Sequence, residues 1–159
     1  MQFKGGQPLD LADIQIFQRM RSIQFPKSYI DIVSRFDGAS LSPYICRVAD
    51  PVSGEPMNIG CNSLIPFRSF ESYEDTMEKV NDGSVEGLPA KVIAFGSEAG
   101  GILFAFDYRG DVSDDPPVVF FAPGYLADHE IFPAAPSFSE FIDNLKTYEE
   151  SHDLDGHAL

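Results

Sequence analysis

The chain has 159 residues, enough for one compact domain that buries roughly 70% of the surface exposed by the unfolded chain. Hydrophobic residues make up 43% and aromatic residues 13% of the sequence, which is typical of an ordered globular protein and argues against a disordered one. The formal charge of −14, from 11 basic and 25 acidic residues, argues against binding to the phosphate backbone of nucleic acids, because that binding requires Lys and Arg.

The sequence also predicts a cytoplasmic protein. No apolar run approaches the ~18 residues of a membrane-spanning helix, and Met1 to Gly6 lack the apolar stretch of a signal peptide. Cys46 and Cys61 are too few for a disulfide framework, so we expect reduced thiols that pack as small apolar side chains. Whether the two thiols ever pair stays open.

Acidic residues are concentrated in the last third of the chain. Residues 1–106 contain 13 acidic and 9 basic residues, a net charge of −4, whereas residues 107–159 contain 12 acidic and 2 basic residues, a net charge of −10. An acidic surface keeps a small protein dispersed, and it also attracts cationic partners at low salt. Charge alone favours the first of these two explanations.

The chain begins with a polar, Gly-containing stretch, residues 1–9, which predicts a flexible end. An amphipathic helix is then predicted from Asp10 to Arg21, because apolar residues recur there at helical spacing. The residues assigned to its apolar face are Leu9, Ile14, Ile16, Phe17 and Met20.

A second short helix is predicted after Pro26, a residue that suits the first helical position because its missing N–H would be unpaired there. Its apolar face contains Tyr29 and Phe36, with Ile32 or Val33 between them. Gly38 stands where a left-handed residue ends a helix.

Residues 41–66 are typical of short strands joined by turns. The predicted strands cover residues 44–48, 57–59 and 64–65, with turn residues at 51–56. A helix over residues 69–80 follows, capped by Ser69 or Ser72 and ended by Asn81-Asp82-Gly83.

The strongest strand patterns lie in the second half of the chain. They cover residues 91–95, 102–107 and 118–121, and their near-continuous apolarity predicts cover on both faces of a sheet. Ser137 and Glu140 have the spacing of a capping box and predict a last helix to residue 148. Its buried stripe contains Phe138, Phe141, Ile142, Leu145 and Tyr148.

This order of elements predicts one α+β domain, with a mainly antiparallel sheet flanked by helices. We expect a flexible N-terminus over residues 1–9, the folded domain over residues 10–148 and a polar C-terminal tail over residues 149–159.

Constellations of catalytic or cofactor-binding residues are not apparent in the sequence. The three histidines, His129, His152 and His157, lack zinc-site spacing, and Gly96 to Gly101 lacks the Lys-Ser/Thr of a phosphate loop. The carboxylates between Asp107 and Asp115 lack the EF-hand pattern. We therefore expect a protein without enzymatic activity, metal or other cofactor.

Several motifs in series resemble the SMI1/KNR4 (SUKH) superfamily. The resemblance covers residues 10–146. It is carried by Phe25-Pro26-Lys27-Ser28-Tyr29-Ile30 through Phe36-Asp37-Gly38, Ile65-Pro66-Phe67 to Glu74, Phe95-Gly96-Ser97-Glu98-Ala99-Gly100-Gly101 to Asp107, Pro117-Val118-Val119-Phe120, and Ala135-Pro136-Ser137-Phe138 to Ile142. Ala39 stands where the family has a second Gly, and Ile102 where an acidic residue is common.

The resemblance implies an α+β fold with a curved sheet, and it implies an immunity protein that neutralises a polymorphic or contact-dependent bacterial toxin, often a nuclease. The alternative that it also implies is a regulatory scaffold that binds a host protein. We expect a basic toxin domain as the partner, no binding to nucleic acid or membrane, and a monomer or weak dimer. The residues predicted to contact the partner are Asp107, Tyr108, Asp111, Asp114, Asp115, Tyr125, Asp128 and Glu130.

Overall fold

The computed structural model describes residues 1–69, 75–110, 114–126 and 129–154. Within these residues the helices are α1 (Leu11–Arg21), α2 (Lys27–Phe36), α3 (Met77–Val80), α4 (Phe138–Asp143) and α5 (Tyr148–Leu154). The strands are β1 (Gln2–Lys4), β2 (Ser40–Ser42), β3 (Ile45–Ala49), β4 (Pro56–Gly60), β5 (Ser63–Leu64), β6 (Val92–Ser97), β7 (Leu103–Asp107), β8 (Val118–Leu126) and β9 (His129–Ala135).

Seven of the described strands form one sheet in the order β1-β2-β5-β6-β7-β8-β9, and every neighbouring pair is antiparallel. Register shifts interrupt β6 between Ala94 and Gly96 and also interrupt the pairing of β8 with β9. The predicted α+β class, with a mainly antiparallel sheet and flanking helices, is confirmed.

The strands β3 and β4 form a separate two-stranded ribbon, which we call the arm (residues 45–60). The arm continues the β2–β5 pair of the sheet. The N–H of Leu41 donates to the carbonyl of Asn62, and the N–H of Cys61 donates to the carbonyl of Tyr44. Ile45 and Lys146 exchange two backbone hydrogen bonds, of 3.0 and 2.8 Å, that fasten the base of the arm beside α4. The arm then extends alongside β9, the last strand of the sheet.

The core between the helices and the sheet is built from aromatic rings. Tyr29 of α2 lies 5.1 Å from the ring of Phe106 and 5.4 Å from that of Phe138, and Phe95 lies 4.4 Å from Phe106. Each of these rings is at most 2% exposed. Aromatic pairs at such distances contribute about 0.5–1.5 kcal/mol each beyond their burial, so α2 and α4 are held firmly on this face.

The opposite face of the sheet is covered by the loop between α3 and β6, residues 81–91. Phe121 points to this face, because its neighbour Phe120 shares the helix-covered face with Phe104. Gly87 lies against the Phe121 ring, and Val85 and Leu88 pack on the core. The predicted cover on both faces is therefore present, supplied on this side by a loop.

Several helix predictions hold only in part. Leu9, Ile14 and Phe17 are buried as expected, but Ile16 is 53% and Met20 66% exposed, because the buried stripe of α1 is narrower than the repeat indicated. Pro26 is the N-cap of α2 and not its first residue, while Gly38 has the expected positive φ of 77°. Phe138, Phe141 and Leu145 are buried, whereas α4 ends at Asp143 and Tyr148 is 50% exposed.

The two chain ends are more ordered than predicted. Residues 2–4, expected to be flexible, form β1 and pair with β2 at the edge of the sheet, where Phe3 stacks on Phe36 at 5.1 Å. The start of the predicted polar tail, residues 149–154, continues α5 from Tyr148.

Two predictions in the middle of the chain also need correction. The described part of the helix expected over residues 69–80 begins at Met77, because the Thr76 hydroxyl caps it by accepting from Lys79; Ser69 lies outside it and Ser72 outside the described residues. Strand β9 was not predicted at all, since Pro133 interrupts its pattern.

Candidate partner-binding surface

The residues predicted to contact a partner fall into two groups at opposite ends of β8. Asp107, Tyr108, Asp114 and Asp115 belong to the end of β7 and its connection to β8. Tyr125 and Glu130 belong to the other end, where β8 turns into β9. Asp111 and Asp128 lie outside the described residues.

At the β7–β8 connection, two of the four residues are occupied by contacts within the protein. Asp107 binds Nε and Nη2 of Arg109, both at 3.0 Å, and this guanidinium holds the pKa of the Asp107 carboxyl below its usual range. Tyr108 is 8% exposed and donates its hydroxyl to the carbonyl of Gln24 at 2.7 Å. Burial raises the pKa of Tyr108, with a further contribution from the two nearby carboxylates, Asp114 and Asp115.

The contact to Gln24 gives Tyr108 a packing role, because it fastens the α1–α2 connection to the end of β7. Asp114 and Asp115 are exposed. Their environment is not purely acidic. Exposed Lys91 lines the same cleft as Tyr108 and Asp114, and Arg109 follows Tyr108 in the chain.

At the other end of β8, a bulge shapes the surface. Between the pairs Phe121–Ile131 and Leu126–His129, four residues of β8 oppose the single residue Glu130. The Glu130 carboxylate accepts from the backbone N–H of Gly124 at 3.3 Å and also packs against Gly87. Glu130 is half-buried, so it supports the bulge as well as contributing charge.

Tyr125 is displayed by this bulge. Its ring is 43% exposed and meets Phe132 edge-on at 6.1 Å, and its hydroxyl donates to Oδ2 of Asp50 at 3.1 Å. The bond joins the bulge to the turn of the arm, 75 residues away in the chain. The two tyrosines that looked equivalent in the sequence therefore differ: Tyr108 is buried and Tyr125 is displayed.

The contribution of the arm to this end of the molecule could not be predicted from the local sequence. Oδ1 of Asp50 accepts from the N–H groups of Val52 and Ser53 at 2.8 and 3.2 Å, which shapes the turn and lowers the pKa of Asp50. Val52 at the turn is 69% exposed. We call this turn and the exposed part of the bulge the tip surface. It consists of Asp50 to Glu55, of which Asp50 and Pro51 are half-buried, and of Pro123 to Tyr125.

A cleft of about 810 Å³ runs beside the tip surface, between the arm and the end of the sheet. It is lined by Val118 and Val119 of β8 and by the ion pair of Asp107 with Arg109. Its walls are Arg47 to Ala49 of β3 and Ile131 to Ala135 of β9. Among the described residues no backbone hydrogen bond joins these two strands. The cleft thus offers largely apolar walls to a side chain that enters it from outside.

Other kinds of site have little support in the described part of the chain. No group of three or more His, Cys, Asp or Glu residues there could hold a metal ion. Cys46 and Cys61 are free and buried, and burial raises the pKa of Cys46 to about 12 and that of Cys61 further. None of the described helices is both long and apolar enough to cross a membrane.

Comparison with known proteins identifies the family. No curated protein and no solved structure matches the chain significantly. The profile of the SMI1 / KNR4 family (SUKH-1) matches residues 8–144, which are 137 of the 159 residues and extend from just before α1 to just after α4. The resemblance noted from the motifs is confirmed, and the chain belongs to the SMI1 / KNR4 family (SUKH-1).

Proposed function

We propose that this chain is an immunity protein, which binds a cognate bacterial polymorphic or contact-dependent toxin directly and neutralises it, and that this toxin is a nuclease. Domains of the SMI1/KNR4 family are generally of the toxin-immunity type and non-catalytic. The step from that family character to a basic nuclease partner rests on the charge of this chain.

The observation that carries the proposal is the uninterrupted acidic stretch between Arg109 and Lys146. These 36 intervening residues contain no Lys or Arg and seven carboxylates, and they include all of β8 and β9. A nuclease is basic where it grips nucleic acid. An acidic surface on a rigid sheet complements such a region, speeds association and competes with the nucleic acid substrate.

The experiment is a pull-down from the native host at low and moderate salt, with the full chain as bait. We expect recovery of a toxin with a basic C-terminal domain. Coexpression of this chain should then restore growth of cells that produce the toxin domain, and the purified complex should contain the two proteins in equal amounts.

The role of the acidic stretch is tested by a variant with fewer carboxylates in the stretch and a matched control variant. Asp114→Asn/Asp115→Asn removes two exposed carboxylates, and Asp31→Asn/Glu149→Gln removes the same number at exposed positions outside the stretch. Recovery of only a non-toxic host protein, or a captured toxin that keeps killing cells, would contradict the immunity function and favour a regulatory scaffold.

A further inference from the structure

We infer that the tip surface is where the basic partner docks, through a segment that places Arg or Lys residues around an apolar side chain. This inference deepens the proposed immunity function and rests on it. The contact that defines the surface is the hydrogen bond of 3.1 Å between Tyr125 of the bulge and Asp50 of the arm.

The tip surface presents apolar groups on a fixed support. Val52 is 69% and Tyr125 43% exposed, and they project from the turn and the bulge that the Tyr125–Asp50 bond connects. Phe132 contacts the Tyr125 ring edge-on. The Glu130 carboxylate accepts a hydrogen bond from the N–H of Gly124 and so stabilises the bulge. An exposed tyrosine whose position is already fixed loses little conformational freedom on binding, which is why such residues dominate interfaces.

The two chain segments that carry these apolar groups have charges of one sign, while Arg47 and Arg109 line the adjoining cleft. The two chain segments that meet here, residues 48–67 and 110–145, contain no Lys or Arg. Their described carboxylates in the arm's turn and opposite the bulge are Asp50, Glu55 and Glu130. Asp50 binds the Tyr125 hydroxyl and Glu55 belongs to the same turn as Val52. Carboxylates therefore accompany both apolar groups, which complements a basic segment and disfavours nucleic acid and a second copy of this chain.

The neighbouring cleft can bind the apolar side chain of the partner segment. Its walls include Val48, Ile131 and Phe132, and Phe132 also meets the Tyr125 ring edge-on. A partner segment can therefore contact the carboxylates at the rim and bury one aliphatic side chain in the cleft, the arrangement typical of a small interface centre with a polar rim.

The β7–β8 connection fits this role less well. Tyr108 is buried there, Asp107 is bound to Arg109, and Lys91 adds a second positive charge beside Asp114. Among its described residues, that end of β8 offers carboxylates without an exposed aromatic ring, so it can attract a basic partner but presents no ring to hold one.

Two pairs of matched variants test the assignment. Asp50→Asn/Glu55→Gln removes two charges at the tip surface, and Asp31→Asn/Glu149→Gln removes one Asp and one Glu charge from exposed positions on α2 and α5. Tyr125→Ala removes the displayed ring, and Tyr148→Ala removes a ring that is 50% exposed on α5. Asn at position 50 keeps an oxygen for the turn, so the fold of the arm is retained.

The binding partners are the toxin domain recovered by the pull-down and a synthetic Arg-rich peptide that carries a single Leu. We expect Tyr125→Ala and Asp50→Asn/Glu55→Gln each to weaken binding about tenfold, and the matched controls to change it less than twofold. Amide shifts in NMR spectra with the peptide should saturate and concentrate at residues 48–56 and 122–132. Tyr125→Phe keeps the ring but loses its bond to Asp50, so it should weaken binding less than Tyr125→Ala does.

Equal effects of tip and control variants, or shifts concentrated at residues 107–115, would overturn the inference. A toxin that is captured and neutralised equally well by the tip variants would overturn it while leaving the immunity function intact. If the host yields no toxin and the peptide still maps to the tip surface, the immunity function fails and the surface stands as a site for basic segments.

Discussion

Asp37 is a buried carboxylate that holds three parts of the chain together. It follows α2 directly, is 1% exposed, and accepts from the backbone N–H groups of Phe67 and Arg68 at 2.8 and 3.2 Å. Its own backbone exchanges hydrogen bonds of 3.1 and 2.9 Å with Gln7. The N-terminal segment and the chain after β5 are therefore both fixed against the end of α2 by this one residue.

The variant Asp37→Ala is expected to lower the free energy of unfolding by about 2–3 kcal/mol, because the N–H groups of Phe67 and Arg68 lose their acceptor. Asp37→Asn retains an oxygen for one of them and should cost less. Urea unfolding measures the difference, with Asp31→Ala on the exposed face of α2 as the control. A loss no greater than that of the control would contradict the role assigned to Asp37.

The ion pair of Asp107 with Arg109 predicts a pH dependence. The folded-state pKa of Asp107 is below its unfolded value of about 3.9, so the pair stabilises the fold above about pH 4 and stops doing so as pH falls through the folded-state pKa. Because Arg109 is 47% exposed, Arg109→Gln should cost at most about 1 kcal/mol near neutral pH.

The measurement is urea unfolding of both proteins at several pH values between neutrality and acid. The cost of Arg109→Gln should shrink toward zero in acid, while that of Arg19→Gln, an exposed arginine of α1, should stay flat. A cost that is independent of pH would show that Arg109 acts through packing and not through Asp107.

At the scale of elements, the Asn81 side chain completes the sheet where β5 ends. Its Oδ1 accepts from the N–H of Ala94 at 2.8 Å and its Nδ2 donates to the carbonyl of the same residue at 3.0 Å, as a neighbouring strand would. Nδ2 also donates to Met77 of α3 at 2.9 Å. This amide therefore links the end of α3 to β6 and starts the loop that covers the second face.

Asn81→Ala should lower the free energy of unfolding by about 2–3 kcal/mol and speed hydrogen exchange at the Ala94 amide, because both backbone groups of Ala94 lose their partner. Asn81→Asp should cost more, since a carboxylate would face the carbonyls of Ala94 and Met77. Asn144→Ala, at the exposed C-cap of α4, is the control for loss of an amide. Unchanged exchange at Ala94 would contradict this assignment.

Those elements whose limits are set by local contacts could be predicted from the sequence. Ser137 accepts from the N–H of Glu140, three residues on, and Gly38 supplies the positive φ after α2. Strand β9 could not be predicted, because its limits depend on pairing with β8 across a bulge that nothing in the local sequence marks. The start of α3 was misplaced because both Ser69 and Thr76 carry capping hydroxyls.

At the scale of the whole molecule, the arm lies back against β9. This placement explains why the bulge was predicted as part of the tip surface but the turn of the arm was not. Tyr125 stands out as an aromatic residue beside acidic residues, but Asp50 and Val52 lie 75 and 73 positions away. They join Tyr125 only because the ribbon that leaves β2 and β5 reaches β9. Its charge was predictable only in part from counting, since Glu130 belongs to the acidic last third of the chain whereas Asp50 and Glu55 do not.

Because the net charge is −14, the association and dissociation rates are the measurements that best separate the effect of charge on binding from the effect of direct contacts. Long-range attraction acts on association and is screened beyond about 8 Å at physiological salt, whereas contacts at the centre of an interface act on dissociation. Neutralising Asp111, Asp114 and Asp115 together should therefore slow association severalfold at low salt and leave dissociation unchanged.

Tyr125→Ala should do the reverse, and speed dissociation with little effect on association. Stopped-flow measurements with the recovered toxin domain at two ionic strengths separate the rates, and the triple variant should lose part of the salt dependence. If the triple variant dissociates faster while Tyr125→Ala does not, the centre of the interface lies at the β7–β8 connection. The opposite result assigns attraction to the whole acidic surface and affinity to its tip.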